Sequence, residues 1–137
     1  MPNQKIKTIS SILATFTGSI GLHRFYLYGK KDAWAWLHFC SLPVSFLISK
    51  LYFNLPFIAS FAPWIVSALI ALFTALHLGL KSDEKWDQQH NAHSGQTSDT
   101  SWVIALNLVF TLGLLAISFI GLLARTVDLL NTGGAYG

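Results

Sequence analysis

Three histidines, His23, His38 and His77, lie within or beside long apolar runs of this sequence of 137 residues. An ionisable group inside a membrane is a candidate for proton transfer or metal binding, whereas a neutral histidine can equally hydrogen-bond a neighbouring helix. Of the three, His38 is the strongest candidate for proton transfer or metal binding, because Pro43 predicts a helix kink close to it. No acidic residue stands in the same run as His38.

Arg24 and Phe25 are the strongest pair of candidate binding residues. They lie near the start of the stretch HRFYLYGKKD at residues 23–32. An arginine at this place can bind a lipid phosphate or a partner's carboxylate through two parallel hydrogen bonds. Alternatively, it can satisfy the last carbonyl groups of the preceding helix. Its basic and aromatic neighbours are typical of a membrane–water interface. The predicted lipid- or partner-binding residues are His23, Arg24, Phe25, Tyr26, Gly29, Lys30, Lys31, Trp34 and Trp36.

A second polar stretch, residues 81–101, holds four of the six acidic residues together with His90 and His93. Carboxylates and imidazoles at such spacing occur in metal sites, but they are also typical of a solvated loop, and we predict no metal site. Residues 82–91 are expected to form a short helix lying on the membrane with Trp86 turned inward. This second motif consists of Asp83, Glu84, Trp86, Asp87 and His90.

Other kinds of chemistry have little support in the sequence. It contains no nucleophile elbow, phosphate loop, dinucleotide fingerprint or zinc-protease motif. Catalysis would require an enzyme working on lipids at the water interface, so we predict no enzyme activity, no catalytic residue and no cofactor. The basic residues are scattered beside apolar runs and never form a cluster of four, so no nucleic-acid partner is predicted.

The composition indicates a membrane protein. Hydrophobic residues make up 53% of the chain and charged residues only 11%, whereas soluble domains carry about 25% charged residues. Four windows, residues 8–23, 33–49, 51–80 and 100–124, contain no Asp, Glu, Lys or Arg. The first window could belong to a cleaved signal peptide, but no Ala-x-Ala pattern follows it, so a first membrane helix is predicted.

These windows predict an all-α, polytopic membrane protein with four transmembrane helices arranged as two antiparallel hairpins. The first hairpin, residues 1–56, contains the basic-aromatic loop at residues 23–32, where Gly29 is expected to make the turn. The second hairpin, residues 57–137, contains the polar loop at residues 81–101. The four predicted spans are residues 6–22, 33–52, 63–80 and 102–123.

Small residues predict close contacts between helices. Ala14, Gly18 and Gly21 fall on one face of the first predicted span, and Gly113 and Gly121 fall on one face of the fourth. Small side chains at helical spacing let two backbones approach, within one chain or between two copies. A homo-oligomer is therefore one expected assembly.

With four spans, both polar loops lie on the same side of the membrane. The first loop has a net positive charge that includes Lys30 and Lys31, and the second has a net negative charge. We expect the two loops to attract each other and close a cap on that face. Five basic residues on the loop side against four on the other give only a slight preference for cytoplasmic loops, with both termini outside.

The stretch GSIGLHRFYLYGKKDAWAW, residues 18–36, resembles the TM-two domain family, in which two transmembrane helices flank a loop with an Asp-Arg-Phe motif. His23 stands at the place of the motif's aspartate, and Tyr28 is an insertion. This chain therefore has no carboxylate at position 23. The residues that match the family pattern are Gly18, Gly21, Arg24, Phe25, Tyr26, Leu27 and Gly29.

The rest of the chain is similar to bacterial members of that family called NINE proteins, which add two helices and a loop like DEKWDQQHN, here residues 83–91. The resemblance implies a multi-pass protein of the bacterial inner membrane with the motif loop in the cytoplasm. It implies a fold and a location, and no established biochemical activity comes with it.

The sequence thus predicts a small membrane scaffold or interaction protein. Its basic-aromatic loop would contact membrane lipids or a membrane partner protein. The alternative is a small oligomeric channel or transporter, in which His38, Ser41, Ser45 and the Pro43 kink line a polar path. A lipid-interface enzyme is the third, weaker alternative.

Overall fold

The structure, a computed structural model, describes residues 4–135. The described chain is all-helical and contains no strand. A short 3-10 turn, Gly18–Ile20, follows the first helix. The seven α-helices are α1 (Lys7–Thr17), α2 (Leu22–Tyr28), α3 (Ala33–Leu51), α4 (Phe57–Ser60), α5 (Ala62–Leu80), α6 (Asp83–His90) and α7 (Trp102–Thr132).

Helix α5 is the centre of the bundle, and α1 runs antiparallel along it. The Ser11 hydroxyl donates to the carbonyl of Ala75 over 3.0 Å, and the Ser67 hydroxyl donates to the carbonyl of Ser19 over 2.7 Å. At Gly18 the helices meet so closely that an added Cβ would lie 2.5 Å from the Cβ of Ala71. Only a residue without a side chain allows this approach.

Residues 6–22 do not form one continuous span, and residues 23–32 are not all loop, so both predictions are wrong. Gly21 adopts a left-handed conformation (φ 81°), and α2 then runs back beside α1. The Tyr26 hydroxyl accepts a 3.0 Å hydrogen bond from the backbone N–H of Ile6, at the start of α1. Helix α1 has 11 residues, which corresponds to about 16 Å, about half the apolar thickness of a bilayer.

Helix α3 packs against α5 and against the 3-10 turn, and it continues through Pro43. Proline leaves the carbonyl of Phe39 without its usual helical donor. The hydroxyls of Ser41 and Ser45 donate instead to the carbonyls of His38 and Ser41, over 2.6 and 2.8 Å. Both serines thus bond their own helix, although neither reaches the carbonyl that Pro43 frees.

Two of the described helices are long and apolar enough to cross a membrane, Ala62–Leu80 and Trp102–Thr132. The most apolar windows of 18 residues in these helices have mean hydropathies of 1.8 and 2.5. Helix α7 continues well beyond the predicted end at Leu123, and Arg125 and Asp128 form an ion pair one turn apart within it. The helix ends at Gly133, which is left-handed (φ 67°).

The inside of the bundle is unusually polar. The Asn107 side-chain amide donates to the hydroxyls of Ser11 and Thr15, over 3.0 and 3.1 Å. Thr15 also shares a 2.7 Å hydrogen bond with Thr111 of α7. Many large apolar side chains lie outside instead, including Val109 at 72% exposed and Ile117 at 70% exposed. A polar interior with an apolar exterior suits lipid as the surrounding solvent.

Candidate functional site: the basic-aromatic turn

The turn between α2 and α3, residues 28–36, is the basic-aromatic turn of this protein. Gly29 ends α2 with a positive φ of 78°, and its N–H donates to the carbonyl of Phe25. Asp32 then starts α3, because its carboxylate accepts a 3.0 Å hydrogen bond from the N–H of Ala35. Gly29 thus lies at the turn where the sequence placed it.

Arg24 is bound by the chain itself. Its Nε donates to Asp32 Oδ2 over 2.6 Å, and its Nη2 donates to Asp32 Oδ1 over 3.2 Å. The guanidinium also lies 4.9 Å from the centre of the Tyr28 ring. The hydrogen bonds from Arg24 hold the pKa of Asp32 below its usual value. Asp32 therefore supplies Arg24 with a carboxylate, although His23 occupies the motif's acidic position.

With Arg24 engaged, the exposed cations of the turn are Lys30 and Lys31. Neither forms an ion pair with any residue in the described range. The Trp36 indole donates to the carbonyl of Lys30 over 2.8 Å and meets the Phe25 ring edge-on. Trp34 is 61% exposed and Trp36 is 48% exposed. The turn therefore presents two free ammonium groups beside two indole rings.

His23 and His38 come together beneath the turn, with ring centres 5.7 Å apart. His38 Nδ1 lies 2.6 Å from the Ser67 hydroxyl. His23 is 1% exposed, and neither of its ring nitrogens has a hydrogen-bond partner among residues 4–135. His77, the third candidate, is exposed on α5 and does not join them.

The second polar stretch forms an ion pair with the N-terminal segment, and it meets the basic-aromatic turn through a ring contact between His90 and Tyr28. Lys7 forms an ion pair with Asp83, and its ammonium also donates to the Thr100 hydroxyl over 2.6 Å. Hydrogen bonds from Lys7 and Thr100 lower the pKa of Asp83. The expected attraction of this stretch to Lys30 and Lys31 is therefore wrong for Asp83, because Lys7 lies nearer.

Trp86 is buried in protein and does not dip into the membrane. It is 0% exposed and packs with Ala14, Ala75 and Leu78. Its indole N–H donates to the carbonyl of Lys5 over 2.9 Å. The expected short helix does form, as α6, but its inward side covers the end of the bundle.

Asn91 and Asp87 complete this contact; Asp87 belongs to the predicted second motif, whereas Asn91 was not among the predicted residues. Asn91 bonds both backbone groups of Lys5, over 2.8 and 3.0 Å. The Ser98 N–H and hydroxyl donate to Asp87 and, with Asn91, lower its pKa. The signal available in the sequence was an asparagine at the end of the predicted short helix. We name this contact of residues 5–7 with residues 83–100 the N-terminal latch.

The His90 ring lies against Trp86 in a tilted arrangement, with ring centres 4.4 Å apart, and His93 is exposed. Burial, followed by the charges of Lys81 and Lys5, lowers the pKa of His90. Within the described part of the chain, no three His, Cys, Asp or Glu side chains are grouped closely enough to hold a metal ion. Glu84 is exposed on α6.

The small residues fall into two groups. Ala14, Gly18 and Gly21 face other helices of the same chain, and a Cβ at Gly21 would lie 2.6 Å from the carbonyl oxygen of Ala35. Gly113 and Gly121 are different, since a Cβ at either would meet open space. Among residues 4–135, nothing packs closely at these two positions.

The apolar exterior, the polar interior and the two long apolar helices define a small helical membrane protein. Residues 3–52 match the family model described as the TM2 domain. The resemblance drawn from residues 18–36 is thereby confirmed for this part of the chain. A search of curated proteins and a search of solved structures found no match.

Proposed function

We propose that this protein is a multi-pass membrane interaction module whose basic-aromatic turn binds anionic lipid headgroups. The observation that carries the proposal is that Lys30 and Lys31 are exposed and unpaired within the described chain. Each basic residue near an anionic membrane surface contributes about 1 kcal/mol of attraction. Trp34 and Trp36 add side chains that prefer the headgroup level.

The Arg24–Asp32 pair has a positioning role in this proposal. Asp32 both accepts from Arg24 and caps α3, so the pair fixes the start of α3 relative to α2. A fixed turn loses less conformational entropy on binding than a mobile loop. The free lysines can then reach phosphate groups from a defined backbone.

The proposed topology has three crossings and a re-entrant hairpin of α1 and α2. Two of the crossings are the long apolar helices α5 and α7. We propose α3 as the third, because its 19 residues equal the length of α5. Four crossings would require α1 to span the bilayer, and its 11 residues are too few. Residues 5–7 contact residues 83–100, so the N-terminal segment lies on the side of the polar loops.

The topology with three crossings places more basic residues on the loop side than the expected topology with four crossings. Seven of the nine lie on the loop side, where only five were expected from four crossings: Lys5, Lys7, Arg24, Lys30, Lys31, Lys81 and Lys85. Lys50 and Arg125 lie on the other side. Because short basic segments stay in the cytoplasm, we place the turn at the cytoplasmic face of a bacterial inner membrane.

A comparison of lipid retention tests the proposed function. The protein is purified from vesicles of phosphatidylglycerol and phosphatidylcholine, and the lipids that remain bound are measured by native mass spectrometry. We expect the native chain to retain phosphatidylglycerol preferentially, and the double variant Lys30→Gln, Lys31→Gln to lose that preference. Lys50→Gln, an exposed lysine on the other side, is the matched control. Equal preference in the double variant and in Lys50→Gln would refute lipid binding by the turn and favour a protein partner.

The channel alternative has weaker support. Its expected path needs the hydroxyls of Ser41 and Ser45, and both donate to carbonyls of their own helix. His38 remains as a polar group beside the α3–α5 interface. We therefore propose a non-enzymatic binding role, with membrane lipids as the first partner.

A further inference from the structure

A cavity of about 470 Å³ lies between α3 and α5 on the outer side of the bundle. Its walls are mainly apolar, and they include Leu37, Val44, Val66 and Ile70. The cavity follows α3 from Trp34 to Val44, which corresponds to about 15 Å of helix. This size falls in the range of about 300–1,000 Å³ that is usual for sites that bind small molecules.

The polar wall of the cavity offers a hydrogen-bond acceptor. The Ser67 hydroxyl uses its single hydrogen to donate to the carbonyl of Ser19 over 2.7 Å. The Ser67 oxygen must therefore accept the 2.6 Å bond from His38, so Nδ1 of His38 carries the ring hydrogen. In a neutral imidazole the other nitrogen, Nε2, then has a free lone pair.

Nothing else in the described chain uses that lone pair. Nδ1 is the only ring nitrogen of His38 with a hydrogen bond among residues 4–135. The Ser41 hydroxyl, also on the cavity wall, donates to the carbonyl of His38. The cavity therefore favours a ligand that carries a hydrogen-bond donor.

We propose that this cavity binds a single-chain lipid alcohol, with the hydroxyl donating to His38 Nε2 and the chain lying along α3 and α5. A phospholipid headgroup fits poorly, because no Lys or Arg lines the cavity to meet the phosphate. A plain acyl chain fills the apolar space but leaves Nε2 without a donor. The hydroxyl would lie about one and a half turns below the start of α3, just beneath the headgroups.

Binding in the cavity can be measured through Cys40, because it is the single cysteine of the chain, is exposed and lines the cavity. The reaction of Cys40 with a small uncharged maleimide is timed in detergent, with increasing oleyl alcohol or its methyl ether. Both compounds carry the same chain, but only the alcohol donates. We expect the alcohol to protect Cys40 at a concentration about fivefold lower than the ether, the effect of one hydrogen bond.

Three variants separate this site from general adsorption. Val66→Phe fills the cavity and should abolish protection by both compounds, whereas Val109→Phe, an exposed site on α7, should change nothing. His38→Phe keeps the ring volume, removes the acceptor and should make the two compounds equal. Equal protection by alcohol and ether in the native chain, or unchanged protection in Val66→Phe, would overturn the proposal.

Discussion

Lys7 forms an ion pair with Asp83, 76 positions further along the chain, and Lys7 is only 5% exposed. A buried ammonium is stable only when its charge is paired and hydrogen-bonded, so Asp83 and Thr100 have to stay in place. This pair fixes the start of α1 to the end of α5 and to the second polar stretch. It is the core of the N-terminal latch.

Asp83→Asn should therefore destabilise the protein. The change leaves Lys7 buried without its counter-charge, and we expect a cost of about 2 kcal/mol. Thermal unfolding in detergent measures it, with Asp99→Asn, an exposed acid of the same stretch, as the control. A melting temperature of Asp83→Asn equal to that of Asp99→Asn would show that the ion pair does not hold the latch.

The latch should open in acid. The pKa of Asp83 is lowered in the folded protein, so its stabilisation is complete above the unfolded pKa of about 3.9 and is lost as the pH falls through the folded value. Cleavage within residues 81–101 by an acid-active protease should rise only in that range. In Asp83→Asn the cleavage should already be fast near neutral pH with a neutral-active protease. A native chain cut equally fast at all pH values would contradict this prediction.

The Arg24–Asp32 pair should act as one unit. Arg24→Lys keeps the charge but loses the two-pronged geometry, and Asp32→Asn removes the charged acceptor. We expect each change to lower the melting temperature, and the double variant to lower it by much less than the sum. The coupling free energy should be about 1 kcal/mol. Strictly additive effects would mean that the two side chains stabilise the turn independently.

Gly18 and Gly113 should respond in opposite ways to the same substitution. Gly18→Ala puts a methyl group 2.5 Å from the Cβ of Ala71, so α1 and α5 must separate and the melting temperature should fall. Gly113→Ala meets open space within the chain and should raise helix stability by about 0.5–1 kcal/mol. Thermal unfolding of the two variants, measured side by side, tests both the expected loss of stability in Gly18→Ala and the expected gain in Gly113→Ala. An unchanged melting temperature for Gly18→Ala would disprove the close contact.

The sequence allowed the helical class and the position of the main turn to be predicted, because these depend on local patterns. Long windows without charge require helices in a membrane. Gly29 between an aromatic run and two lysines indicates a turn, and it is found there with positive φ. The resemblance of residues 18–36 to a known family added the membrane setting, which the match to residues 3–52 supports.

The return of the chain at Gly21 could not be predicted in this way. Residues 8–23 carry no charge, and a charge-free window looks the same in a spanning helix and in a hairpin. The left-handed conformation of Gly21 decides between them, and the backbone at Gly21 lies close to the carbonyl of Ala35 of α3, a contact that no local pattern shows. The burial of Trp86 in protein could not be predicted either, since an apolar helix face in the sequence does not reveal whether lipid or protein covers it.

The re-entrant path of α1 and α2 is the central claim, because it brings the N-terminal segment and seven of the nine basic residues to one face. Single cysteines at Gln4, Asn54 and Gln96, each in a Cys40→Ser background, are labelled in sealed vesicles with an impermeant thiol reagent. We expect the cysteines at positions 4 and 96 to be labelled from the same side and the cysteine at position 54 from the other. Labelling of position 4 together with position 54 would show that the first segment crosses the membrane and would contradict the account.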